Sequence, residues 1–135
     1  MVAKEIKIII VDDNLVFRNV ARNFLQSEFN YRIIGEASGG KEFFTLPNIH
    51  QANIILMDLQ MPEVDGYFIT KEMLKDYNYM KVIAITMHTE KAYLQELIRV
   101  GFKGCVFKPD FYKNIQEAII SVNSNKYYFP QQINL

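Results

Sequence analysis

Short runs of Ile and Val alternate along the chain with longer stretches whose apolar residues recur at helical spacing. Residues 6–11 (IKIIIV) read as a buried strand. Residues 14–29 follow as a helix with Phe17, Val20, Ala21 and Phe24 on one stripe. Residues 31–37 form a second strand, and a short helix over 39–46 is expected to be capped by Ser38 and closed by Pro47. A third strand at 53–57 precedes a helix over 65–77 carrying Ile69, Met73 and Tyr77. A fourth strand at 81–85 leads to a helix over 89–100 that Gly101 stops. A fifth, short strand at 104–107 leads to a last helix with Ile115, Ala118, Ile119 and Val122 on one face.

The order is strand then helix, repeated. Near-continuous apolar strands imply burial on both faces, so the sheet is parallel and covered by helices. With right-handed crossovers this is an α/β, doubly wound, three-layer fold. The packed unit is expected over 5–124. Residues 125–135 lack a clear period and read as a tail or the start of a linker.

Composition narrows the class. A chain of 135 residues is one ordinary domain with enough core to fold unaided. Lys+Arg and Asp+Glu are equal at 15 each, which does not favour nucleic-acid binding by this segment itself. The single cysteine, Cys105, allows no internal disulfide. With no signal-peptide pattern and no span-length apolar run, a cytoplasmic location is expected.

The polar residues at the strand ends carry the chemistry. The first strand ends in Asp12-Asp13, the third in Asp58, the fourth in Thr86 and the fifth in Lys108. In a parallel sheet these ends share one edge, the edge where open α/β sheets bind ligands. A lone Asp after a strand is usually a turn residue, but all of these ends together are not. Burying Asp58 alone is costly, so its carboxylate is expected at an open edge of the core. Three carboxylates repel by about 4 kcal/mol per pair at ~4 Å and an effective dielectric of ~20. Lys108 offsets part of that, and an all-oxygen cluster suits a hard divalent ion such as Mg²⁺. The set reads as a metal and phosphoryl site with Asp58 as nucleophile, Lys108 neutralising charge and Thr86 donating a hydrogen bond.

Asp12-Asp13, Asp58 followed by "MPEVDG", "VIAIT" ending at Thr86 and "FKP" holding Lys108 together resemble the receiver domain of two-component response regulators. The resemblance covers residue 6 to about residue 123. It implies a flavodoxin-like sheet of order 2-1-3-4-5. It implies that Asp58 accepts a phosphoryl group from a sensor histidine kinase or phosphotransfer protein. Asp13, Asp58 and the backbone carbonyl of Gln60 then ligate Mg²⁺, which Mn²⁺ can replace, and Asp12 acts through metal-bound water. Lys108 contacts the phosphoryl oxygens. Thr86 moves toward them and reports to the face of the fourth helix and fifth strand. Gln60 and His88 occupy positions that tune phosphate lifetime.

The segment "TMHTEKAYLQELIRVGFKGCVFK" and the tail "NSNKYYFP" further resemble receivers of the NarL/FixJ type, which continue into a DNA-binding helix-turn-helix. The output expected is transcription through a domain not in this chain, with a phosphorylation-dependent homodimer possible. The alternative is a free-standing receiver acting by protein contact. Cys105 departs from the family, which usually has an aromatic residue there, so the output switch is expected to rest on Thr86 and the fourth helix, with Met87 and Tyr93 packing beside them and Cys105 filling a small buried slot. Leu15, with outward-facing Arg18, Asn19 and Arg22, is the expected kinase-docking surface. A phosphatase of the haloacid dehalogenase type is disfavoured, since it needs a second acid where Gln60 stands. No turnover enzyme and no membrane partner is expected.

Overall fold

The computed structural model describes residues 5–130. Five parallel strands, β1 (Lys7–Val11), β2 (Arg32–Ala37), β3 (Ile54–Asp58), β4 (Lys81–Thr86) and β5 (Gly104–Phe107), form one sheet in the order β2-β1-β3-β4-β5. The helices are α1 (Leu15–Phe29), α2 (Gly40–Thr45), α3 (Gly66–Asp76), α4 (Lys91–Val100) and α5 (Phe111–Asn123).

Successive strand residues point to opposite faces of a sheet, and each Ile-rich strand here feeds two cores. Ile9, Val11, Ile55, Met57, Val82, Ala84 and Cys105 pack with Phe43, Ile69, Met73, Leu94 and Leu97 of α2, α3 and α4. Ile8, Ile10, Ile54, Leu56, Ile83, Ile85 and Val106 pack with Ala21 and Leu25 of α1 and with Phe111, Ile115, Ala118, Ile119 and Val122 of α5. This two-sided burial is why the strands show apolar runs and no alternation.

Several local expectations need correction. Val20 is exposed, and the fully buried positions of α1 are Ala21 and Leu25, flanked by the half-buried Phe17 and Phe24. Ser38 does not cap α2. Gly39 holds the cap position with no side-chain bond, and the Ser38 backbone N–H instead donates to Glu42 Oε1 at 2.8 Å. The Asp65-Gly66 pair, expected only as the helix start, has a sharper role described below.

The start of the tail makes one contact with the sheet. The Tyr128 N–H donates to the Lys103 carbonyl at 3.1 Å, and the Tyr128 carbonyl accepts from the Cys105 N–H at 2.8 Å. Tyr128 therefore lies beside β5 and satisfies part of its open edge. A single bridge made by backbone atoms leaves no side-chain period to read. Residues 131–135, the remainder of the expected linker, lie outside the described residues.

Candidate functional site at the carboxyl edge of the sheet

The carboxyl ends of β1, β3, β4 and β5 meet at one edge, two of their polar residues as the last strand positions. Asp58 pairs with Ile85, and Thr86 pairs with Phe107. Asp12 is 1% exposed, Asp58 2% and Thr86 0%, while Asp13 is exposed. Asp58 is therefore buried and not at an open edge of the core. Its surroundings make that tolerable. Lys108 places Nζ 2.8 Å from Asp12 Oδ2 and 3.8 Å from Asp58 Oδ2. The same ammonium lies 4.5 Å from the Phe17 ring centroid, whose negative face adds to its attraction.

Backbone donors fix the acids. The Asn14 N–H donates to Asp12 Oδ1 at 2.8 Å, and the Gln60 N–H donates to Asp58 Oδ1 at 3.2 Å. Asn14 also caps α1 by accepting from the Phe17 N–H at 3.0 Å, so the helix start and the acidic pair are set by one turn. Burial, then the charge of Asp12 and that of Asp13, pushes Asp58 up to about 7, while Lys108 and the Gln60 N–H work the other way.

Oxygen atoms of Asp12, Asp13 and Asp58 lie within 4.8 Å of one another. Three carboxylates at this spacing, with only oxygen donors, match the donor set of a hard divalent cation. A cation there would oppose the rise of Asp58 and leave it ionised, as a nucleophile requires.

The opposite wall is polar and looser. Gln60 Nε2 donates to Thr86 Oγ1 at 3.3 Å and to the Tyr93 hydroxyl at 3.4 Å. Gln60 Oε1 accepts from the Met87 N–H at 3.1 Å, and Thr86 Oγ1 accepts from the His88 N–H at 3.1 Å. The Thr86 hydroxyl is thus turned to Gln60 and Tyr93, and the His88 side chain is exposed with its ring 5.5 Å from that of Tyr93.

Cys105 lies in β5 within the core that faces α4, away from the carboxylates, and burial pushes its thiol up to about 12. A thiol held this way carries little thiolate at neutral pH.

The surface expected around Leu15 is only partly as read. Leu15 and Val16 are exposed. Arg18, Asn19 and Arg22 do not simply face outward. Arg18 Nη1 donates to the Asp12 carbonyl at 2.6 Å, Arg22 pairs with Glu36 at 2.7 Å, and Asn19 accepts from Arg22 at 3.2 Å. The Asp12 carbonyl, just past the end of β1, draws Arg18 inward.

Tyr93, expected beside Thr86 and the fourth helix, does reach the Thr86 hydroxyl from α4, at 3.4 Å. One further residue escaped the sequence reading. Gly66 follows Asp65, whose side chain caps α3 by accepting from the Phe68 N–H at 3.0 Å. A Cβ on Gly66 would overlap the Asp58 carbonyl oxygen and come within 2.7 Å of Met57 Cγ. The "DG" pair seven residues beyond Asp58 was its only visible signal.

Known proteins share this fold. The family model for the response regulator receiver domain matches residues 8–120. Transcriptional regulatory protein YdfI of Bacillus subtilis (strain 168) is 37% identical over 102 residues, covering 76% of this chain and 47% of the relative. Transcriptional regulatory protein DegU of Brevibacillus brevis is 27% identical over 104 residues, covering 77% of this chain and 44% of the relative. The chain spans about half the length of these relatives. Among solved structures, a two-component response regulator of the LuxR family from Aurantimonas sp. SI85-9A1 superposes with a TM-score of 0.87 at 22% identity, covering 96% of this chain and 93% of that one. The isolated REC domain of RcsB from Salmonella enterica serovar Typhimurium, solved with the phosphomimetic BeF3-, gives 0.81 at 21% identity, covering 95% of each. By its carboxyl-edge acids, its strand order and a family match over most of its length, the chain belongs to the response regulator receiver domains.

Proposed function

We propose that Asp58 is the phosphoacceptor of a signalling switch. The observation that carries this reading is Lys108 Nζ within 2.8 Å of Asp12 and 3.8 Å of Asp58, beside a cluster of three carboxylates. A carboxylate oxygen of Asp58 attacks phosphorus, the bond to the donor breaks, and the leaving imidazole of a sensor histidine kinase or phosphotransfer protein keeps the electron pair. Asp13, Asp58 and the Gln60 carbonyl would hold Mg²⁺, or Mn²⁺ in its place, with Asp12 acting through water. When bound, the ion neutralises charge on the phosphoryl oxygens. Lys108 exchanges part of its pairing with Asp12 for a phosphoryl oxygen. Thr86 leaves Gln60 and Tyr93 to donate to another, which frees Tyr93 and α4 to shift. Gln60 and His88 border the phosphoryl position and set its lifetime.

Leu15 offers the kinase an exposed apolar contact beside the acids, and Arg18, Asn19 and Arg22 shape the ground under it. The switch unit spans residues 5–124, with 125–135 as its join to an output segment. The relatives' names support transcription as that output, exerted from the cytoplasm through DNA-binding residues outside these 135 and through a phosphorylation-dependent homodimer. Among the described residues no helix is long and apolar enough to cross a membrane. Hydrolysis of its own phosphoaspartate is expected, and turnover of a separate substrate is not.

Incubation with acetyl phosphate and Mg²⁺, followed by intact-mass analysis, tests the site. One phosphoryl adduct is expected, absent in Asp58→Asn and absent in EDTA. Equal labelling of Asp58→Asn overturns the assignment.

A further inference from the structure

The amino edge of the sheet carries a second polar site of opposite charge. Lys81 opens β4, Lys103 directly precedes β5, and Lys126 follows the end of α5. All three line one cavity of about 420 Å³, together with Tyr79, Tyr127 and Asn78. No lining residue is acidic. Among the described residues none of these ammonium groups meets a carboxylate in an ion pair. Lys81 Nζ is partly buried and held by the Asn123 carbonyl at 3.1 Å. Lys103 Nζ stands 5.3 Å from the Tyr127 ring centroid. Lys81 lies five strand positions from Thr86, about 16 Å at ~3.3 Å per residue, so this cavity is separate from the acidic pocket.

Three cations around one concavity, none of them paired with a carboxylate among the described residues, raise the local concentration of anions. The lysines alone would suit any phosphate. Two exposed tyrosine rings at the same rim add flat apolar faces on which a planar ring stacks, a contact worth more than solvent exposure of either partner. The volume is that of a small-ligand site. We infer that this cavity binds a nucleoside diphosphate or triphosphate, with its phosphates among Lys81, Lys103 and Lys126 and its base against Tyr79 or Tyr127.

Calorimetric titration of the 135-residue chain with ADP in EDTA, which keeps metal-phosphate complexes out of the acidic pocket, tests this. Saturable binding is expected, with adenosine not binding and pyrophosphate binding about tenfold more weakly than ADP. The exposed pair Lys103→Gln/Lys126→Gln is expected to weaken ADP about tenfold or more, the scale of a lost charged hydrogen bond. The pair Tyr79→Ser/Tyr127→Ser is expected to weaken ADP but not pyrophosphate, and thermal unfolding checks that both variants are folded. Absence of saturable binding, or unchanged affinity in the lysine variant, overturns the site. Pyrophosphate binding as well as ADP removes the ring and overturns the ligand class. So does an Asp/Glu-rich peptide that binds where ADP does not, which would mark a protein-docking surface instead.

Discussion

The two walls of the acidic pocket are built to different tolerances. On the Asp12 side, contacts are short and involve charge. Lys108 lies 2.8 Å from Asp12, the Asn14 N–H 2.8 Å, and Arg18 grips the Asp12 carbonyl at 2.6 Å. On the Thr86 side, Gln60, Thr86 and Tyr93 exchange neutral hydrogen bonds of 3.3–3.4 Å beside the exposed Met87. Charge-assisted bonds are roughly twice as strong as neutral ones, and long ones are weaker still. The first wall can hold reacting groups in place. The second can rearrange at little cost, which a reporting element needs. A site that must both react and signal gains from this division.

Lys108→Met should show the largest effect, because it attacks the firm wall. Removing one member of a buried pair leaves Asp12 uncompensated, and a loss of about 2–4 kcal/mol in unfolding free energy is expected. Urea unfolding at pH 8 reads this, and an unchanged midpoint would mean the firm wall is not firm. Gly66→Ala comes next. Its methyl must displace both the Asp58 carbonyl and the Met57 side chain, at a cost of roughly 1–3 kcal/mol, and labelling by acetyl phosphate should slow in parallel. Full-rate labelling of that variant would show that Asp58 does not need its present seat.

Asp58→Asn should stabilise. The carboxyl group sits at about 7 when folded against an ordinary value of 3.8, so between those limits the folded state binds more protons than the unfolded one. Stability therefore falls as pH rises across that window, and the loss is complete above about 7. The amide has no such loss. In EDTA it should gain about 1–3 kcal/mol at pH 8, with the gain shrinking toward pH 4. Added Mg²⁺ should narrow the difference by stabilising the wild-type carboxylate. A gain that grew toward acid would reverse the sign and refute the raised proton affinity. Tyr93→Phe should be the mildest, since it deletes only long neutral bonds of the soft wall. A change under about 1 kcal/mol is expected. A larger one would make this wall as rigid as the other and erase the contrast.

The strand–helix alternation, the parallel sheet and the acidic edge were legible because each follows from a periodic or local pattern. Ile-rich runs specify two-sided burial, and Asp12, Asp58, Thr86 and Lys108 fall at strand ends by position alone. The carboxyl edge then follows from parallel topology. Val20 misled because it continues the helical period of Phe17 and Phe24 while lying just outside the contact line that the sheet defines. Ser38 misled because a good capping residue lost its position to Gly39.

The remaining features depend on residues distant in sequence. Arg18 turns inward to a carbonyl left free where β1 ends, and Tyr93 finds Thr86 only when α4 docks. Gly66 is required by the path of α3 across β3, and Tyr128 docks because β5 is an edge strand with open hydrogen bonds. The three lysines at the amino edge are 22 and 23 positions apart in the sequence, from 81 to 103 and from 103 to 126. Local patterning thus determined which elements form and which edge is acidic. Charge compensation, close approach and edge pairing were decided by tertiary structure, because each is a distance between residues that sequence order leaves unconstrained.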